Sequence, residues 1–119
     1  MDTAKADALH AYPFFAPVAY FECGDGWFEV LKALAQKVEE GRKAKRIPKV
    51  PKVVQVKEKF GRLRVYTSGY DPIVDSLIKE AEEAAWTVCE VCGKAGSLRR
   101  RGGWLSTLCD DHDEPKPCA

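Results

Sequence analysis

The sequence predicts an α+β protein in which two helices pack on a β-hairpin and a small cysteine- and histidine-bearing module follows at the C-terminal end. Three observations predict it. Apolar residues recur at steps of three and four in two separate windows, Trp27 to Val38 and Ile73 to Ala85. Between them, Val53 to Thr67 is rich in β-branched residues, alternates in polarity and breaks at Phe60-Gly61. After them, Cys89-x2-Cys92 and Cys109-x2-His112 stand sixteen residues apart.

Residues 1–22 read as an N-terminal arm, loose or locally helical to residue 11, with His10 in it. Tyr12 to Tyr20 is aromatic and holds two prolines, which exclude a regular helix interior, so an extended segment packed on the core is expected. Residues 23–88 form the α-β-β-α core. Gly24-Asp25-Gly26 punctuates, with Asp25 as N-cap of a helix from about Trp27 to Gly41. Trp27, Val30, Leu31, Leu34 and Val38 make its buried face, and Gly41 is its expected C-cap. Arg42 to Lys52, with Pro48 and Pro51, reads as an extended, exposed basic linker.

The hairpin strands are Val53 to Lys59 and Arg62 to Thr67. Strict alternation puts Val54, Val56 and Glu58 on one face, against Val53, Gln55, Lys57 and Lys59 on the other. On the return strand Leu63, Val65 and Thr67 oppose Arg62, Arg64 and Tyr66. One face is therefore apolar and the other carries Lys57, Lys59, Arg62 and Arg64. Asp71-Pro72 is a helix start, Asp at the N-cap and Pro at the first helical position, and the helix runs to about Trp86.

Residues 89–119 form the third unit, a zinc-binding module with a short tail. Zinc favours four soft or borderline ligands in a tetrahedron, and a pair at x2 spacing lets one tight turn present two of them. The set is Cys89, Cys92, Cys109 and His112, with Cys118 as the alternative to His112. The intervening segment suits a hairpin turning at Gly102-Gly103, which makes the module a zinc ribbon or a shortened treble clef. Four protein ligands leave no open position for water, so the expected cofactor is structural zinc. An HNH-type nuclease needs a histidine on the hairpin, and Gly103 to Leu108 holds none. No P-loop, dinucleotide fingerprint or nucleophile–base motif is present either, so the expectation is a protein without catalytic activity.

The formal net charge is +1, but the charge is segregated. Gly41 to Arg64 holds ten cations against Glu58 alone, a net charge of +9, and Asp71 to Glu90 carries −5. Such a dipole steers an anionic partner to one face, or the two segments neutralise each other within the fold. Lys57, Lys59, Arg62, Arg64, Arg99, Arg100, Arg101 and Trp104 are the candidate partner-binding residues: the cations for phosphates or acidic groups, Trp104 and Tyr66 for stacking. Cys23, ahead of the first helix, reads as a small buried residue, with a helix-activated thiol as the alternative. No apolar run approaches the roughly 20 residues of a membrane span. The polar start lacks the pattern of a signal peptide, so the expected compartment is the cytoplasm.

Four stretches, Gly24-Asp-Gly-Trp-Phe28, Val56-Lys-Glu-Lys-Phe-Gly-Arg-Leu-Arg-Val-Tyr66, Cys89-Glu-Val-Cys-Gly93 and Gly103-Trp-Leu-Ser-Thr-Leu-Cys-Asp110, together resemble a group of small uncharacterised zinc-ribbon proteins of bacteriophages, prophages and proteobacterial genomes. The resemblance implies the zinc ligands, a mobile-element setting and an accessory role without assigned enzymatic activity. By that analogy the expected function is binding to a host or phage macromolecule, in the specific form of an anti-defence or anti-CRISPR-type inhibitor that meets its target through the acidic helix of Asp75, Glu80, Glu82 and Glu83. The alternative is a nucleic-acid-binding zinc module that uses the basic hairpin face.

Overall fold

The computed structural model describes residues 1–113. In chain order these form α1 (Thr3–His10), β1 (Phe21–Glu22), a 3-10 turn (Asp25–Trp27), α2 (Phe28–Lys43), β2 (Lys52–Lys59), β3 (Arg62–Ser68), α3 (Pro72–Ala84), a second 3-10 turn (Ala85–Thr87), β4 (Ser97–Arg101), β5 (Trp104–Leu108) and a last 3-10 turn (Asp110–His112). The α+β class and the two helices beside a central hairpin agree with the sequence reading. The hairpin gains a third strand: β1 pairs in parallel with β2, giving a sheet ordered β1-β2-β3, while β4 and β5 make a separate two-stranded ribbon.

Of the two alternatives for the start of the N-terminal arm, loose or locally helical, the structure takes the helical one. Asp2 caps α1 by accepting the N–H groups of Ala4 and Lys5, and Leu9 is fully buried. The segment from Tyr12 to Tyr20 does pack on the core, through Phe14, Phe15 and Val18, but as a succession of turns and not as an extended strand. His10 shares a 2.7 Å hydrogen bond between its Nε2 and the Val18 carbonyl, which ties the helix to those turns.

Asp25 is not the helix N-cap. It lies inside the 3-10 turn that precedes α2, and its Oδ1 accepts the Asp2 N–H at 2.6 Å. Leu31, Leu34, Ala35 and Val38 bury the face of α2 that the periodicity marks, continued by Trp27 from the preceding 3-10 turn, with Val30 only partly covered. Gly41 is not the C-cap either, because α2 continues through Lys43. Gly41 is buried where Ile47 folds back, and a Cβ there would meet Ile47 Cδ1 at 2.6 Å. The basic linker therefore turns, with Ile47 buried, before β2 begins.

The faces of β2 differ from strict alternation. Pairing with β3 shifts between Val53↔Thr67 and Gln55↔Tyr66, so Val54 is an extra, bulged residue. The bulge puts Val53 and Val56 on the same inner face, both fully buried, and leaves Val54 54% exposed. Beyond it the alternation resumes as expected, with Leu63 and Val65 inward from β3. Phe60 and Gly61 have φ of 53° and 80°, the paired left-handed conformation of a two-residue hairpin turn, and Glu58 Oε2 accepts the Gly61 N–H at 2.7 Å.

Asp71 caps α3 with Pro72 behind it, accepting the N–H groups of Ile73 and Val74 at 2.9 and 3.0 Å. α3 packs on α2 and on the β3 edge, where Glu82 Oε2 accepts the Val65 N–H at 3.1 Å. The main core cluster is centred on Trp27, Phe15, Leu31, Leu34 and Leu63, and a second, small cluster joins Cys89, Leu108 and Cys109. No helix among the described residues is long and apolar enough to cross a membrane.

Candidate metal centre

Cys89 and Cys92 sit on the turn that follows α3. Cys109 and His112 sit at the end of β5 and in the 3-10 turn after it. The ribbon β4–β5 brings the two pairs together across the sixteen intervening residues. The four ligand atoms lie within 4.8 Å of one another. Cys92 Sγ stands 3.6 Å from Cys109 Sγ, and His112 Nδ1 stands 3.2 Å from Cys109 Sγ and 3.7 Å from Cys89 Sγ. A tetrahedral zinc, with bonds of about 2.3 Å to sulfur and about 2.0 Å to nitrogen, places neighbouring ligand atoms roughly 3.5–3.8 Å apart. The residues fit such an ion. Cys118, the alternative ligand, lies outside the described residues.

The local electrostatics suit thiolate. Burial opposes ionisation of Cys89, but the backbone N–H groups of Cys92, Cys109 and Val91 outweigh it and bring the thiol down to about 6. At Cys92 the Lys94 N–H lowers the thiol, yet burial and the sulfurs of Cys109 and Cys89 push it up on balance. Clustered thiols resist ionising together unless a cation joins them, which is the demand a metal meets.

The knuckle of Cys89 to Gly93 is seated on the Gly24–Trp27 turn. Gly26 N–H donates to the Glu90 carbonyl at 2.7 Å, Gly24 N–H donates to Glu90 Oε2 at 2.9 Å, and Trp27 Nε1 donates to the Val88 carbonyl at 2.9 Å. The approach is so close that a Cβ on Gly26 would lie 1.9 Å from the Cys89 carbonyl oxygen. On the other side, Thr107 Oγ1 donates to the Gly61 carbonyl at 2.6 Å, which fastens β5 to the tip of the β2–β3 hairpin. The segment that carries the candidate ligands thus touches the core at both the Gly24–Trp27 turn and the tip of the β2–β3 hairpin. None of these contacts follows from the residue types. The glycine pair flanking Asp25 was the one available signal, and it reads as a turn.

The candidate partner-binding residues separate into groups. Lys57, Lys59, Arg62 and Arg64 share the outer face of the sheet, with Lys57 opposite Arg64 and Lys59 opposite Arg62. None of the four forms an ion pair among the described residues. The Arg62 guanidinium lies over the Trp86 ring, 5.0 Å from its centroid. Arg99 and Arg101 are engaged elsewhere: both bind Asp113 at 2.8 Å, and Arg99 also binds Asp110 at 3.0 Å. Arg100 pairs with Leu105 and is on the opposite face of the ribbon from them, exposed. Trp104 is exposed at the ribbon turn. Cys23 is buried, and burial, reinforced by Glu90, pushes its thiol up to about 12, which removes the activated-thiol alternative.

No protein-family model, no curated protein and no solved structure matches the chain.

Proposed function

We propose that the chain is a zinc-stabilised, non-catalytic binding protein, in which Cys89, Cys92, Cys109 and His112 hold one structural zinc ion. The observation that carries this reading is the compact Cys3His set, with three ligand pairs at 3.2–3.7 Å, near zinc spacing, and all four ligand atoms within 4.8 Å of one another. Three thiolates and one imidazole select zinc over hard cations, and four protein ligands leave no position at which a metal-bound water could act as nucleophile. The metal's contribution is to folding. It fixes the knuckle against Gly26 and the ribbon against Gly61, and so shapes a surface that meets a macromolecular partner. The exposed acids of α3, Glu80 and Glu83, are the surface on which the inhibitor form of this reading rests.

Elemental analysis of protein purified without chelator tests it. About one zinc per chain is expected, with release and a lowered Tm on chelation at neutral pH. Cys118→Ser retains the metal and His112→Ala loses affinity for it. Metal-free protein with an unchanged Tm overturns the reading.

A further inference from the structure

We infer that the outer face of the β1-β2-β3 sheet binds single-stranded nucleic acid. This rests on the zinc-stabilised binding protein above and names its partner class. Two consecutive rungs of the hairpin, Lys57↔Arg64 and Lys59↔Arg62, set like charges directly opposite one another, which costs stability in the isolated protein. Successive rungs on one face stand about 7 Å apart along the strands. The four cations therefore form a short double row without a salt bridge among the described residues, although Arg64 also acts on the half-buried Glu82 carboxyl at the β3 edge. One acid stands beside this face: Glu22, in register with Lys57 at the β1 edge, accepts from Gln55 Nε2 at 3.0 Å and forms no salt bridge with Lys57.

Aromatic groups stand at both ends of the row. Tyr66, on the next rung opposite Gln55, is 40% exposed on the same face. At the hairpin tip a cleft of about 270 Å³ opens between Phe60 and Trp104, both more than half exposed. Glu58 lines one wall of that cleft, its carboxylate already engaged by the Gly61 N–H. Cations that follow a phosphodiester backbone, alternating with aromatic faces that accept unstacked bases, are the recognition chemistry of single strands. A duplex keeps its bases stacked and offers nothing to Tyr66 or to the cleft. An acidic protein segment would use the cations and leave the aromatic groups idle.

Fluorescence anisotropy of a labelled 20-nucleotide single-stranded DNA, titrated with zinc-loaded full-length protein, tests the inference. Engagement of four phosphates makes affinity fall about 50-fold between 50 and 200 mM salt. Tyr66→Ala weakens binding about tenfold through lost stacking. Lys59→Glu weakens it by a similar factor and flattens the salt dependence. Absence of binding at 50 mM salt overturns the inference, as does equal affinity for a duplex of the same length, or a Tyr66→Ala protein that binds like the parent. The zinc content and Tm of each sample, measured beside the titration, report separately on the metal reading and on the folding of each variant.

Discussion

The Gly26 N–H donates to the Glu90 carbonyl across 2.7 Å, between residues that stand at opposite ends of the central fold in sequence. The contact makes the knuckle part of the core. It also makes Gly26 a position where only a missing side chain serves, since a Cβ would overlap the Cys89 carbonyl oxygen at 1.9 Å. Backbone lies on both sides of that overlap, so relief requires the knuckle to lift. Gly26→Ala is expected to cost about 2–4 kcal/mol and to weaken metal retention. Gly102→Ala is the contrast: its φ of 54° carries a conformational cost, but nothing lies within 4 Å of the added methyl. It is expected to cost about 1 kcal/mol and to leave the metal in place. Chemical denaturation with parallel metal analysis distinguishes the two, and equal behaviour of the variants refutes the seating argument.

The second fastening is a single hydroxyl. Thr107 is fully buried, and its Oγ1 donates to the Gly61 carbonyl at 2.6 Å. Valine keeps the shape and removes the donor, which leaves a buried carbonyl unsatisfied at about 1–3 kcal/mol. Thr107→Ser keeps the donor and loses one methyl. Urea denaturation should place Thr107→Val below Thr107→Ser in stability, and the opposite order refutes the role of the bond.

What was legible in the sequence and what was not divides along sequence distance. α2, α3 and the hairpin were legible because periodicity, the Asp71-Pro72 cap and the Phe60-Gly61 break are local signals that the tertiary structure leaves intact. The gathering of Cys89, Cys92, Cys109 and His112 was legible because x2 spacing already encodes the geometry of a tight turn. The Val54 bulge was not, since it is defined by the registry of the partner strand. α1 was legible only as one of two alternatives, loose or locally helical, because a helix that buries only Leu9 shows no apolar stripe. Asp25 and Gly41 were misassigned for one reason. Each has the residue type of a cap, but a distant backbone or side chain, Asp2 and Ile47, determines its use. The charge count placed a net charge of +9 in one window without showing that Arg99 and Arg101, outside it, are the cations neutralised by Asp113.

Glu82 predicts a pH dependence. Its carboxyl is half-buried, and burial raises its folded-state pKa above the ordinary value, against the opposing pull of the Val65 N–H and of Arg64. An acid whose pKa is raised by folding favours the folded state when protonated. Its ionisation therefore subtracts stability as pH rises through the unfolded and folded pKa values, and the loss is complete above the folded one. Glutamine keeps an acceptor for the Val65 N–H without the charge. Glu82→Gln is expected to be at least as stable as the parent at pH 7, with the difference shrinking as pH falls to about 4. Thermal unfolding at the two pH values checks this, and a variant that is less stable at pH 7 than at pH 4, relative to the parent, refutes it.

The cation rows of the sheet predict a gain in stability from a substitution that impairs binding. Lys59 faces Arg62 directly, next to the hairpin turn and beyond the reach of β1, whose pairing stops at Lys57. Replacing a like-charge rung by an opposite-charge one gains about 0.5–2 kcal/mol, since each such pair is worth roughly 0.2–1 kcal/mol in either direction. Against this stands the contact of the Lys59 ammonium with the Phe60 ring, 5.7 Å from its centroid, worth about 0.5 kcal/mol at an exposed site. The balance favours Lys59→Glu by about 0.5 kcal/mol, a rise in Tm of about 1–3 °C in dilute buffer. Lys59→Gln removes the repulsion and the ring contact together without adding the attraction, and its Tm is expected close to that of the parent and below that of Lys59→Glu. In about 1 M salt, where screening operates over roughly 3 Å, the differences collapse toward the cost of the lost ring contact. A Lys59→Glu protein less stable than the parent at low salt would show that the repulsion across this rung is smaller than the ring contact that the substitution removes, and would refute the predicted gain.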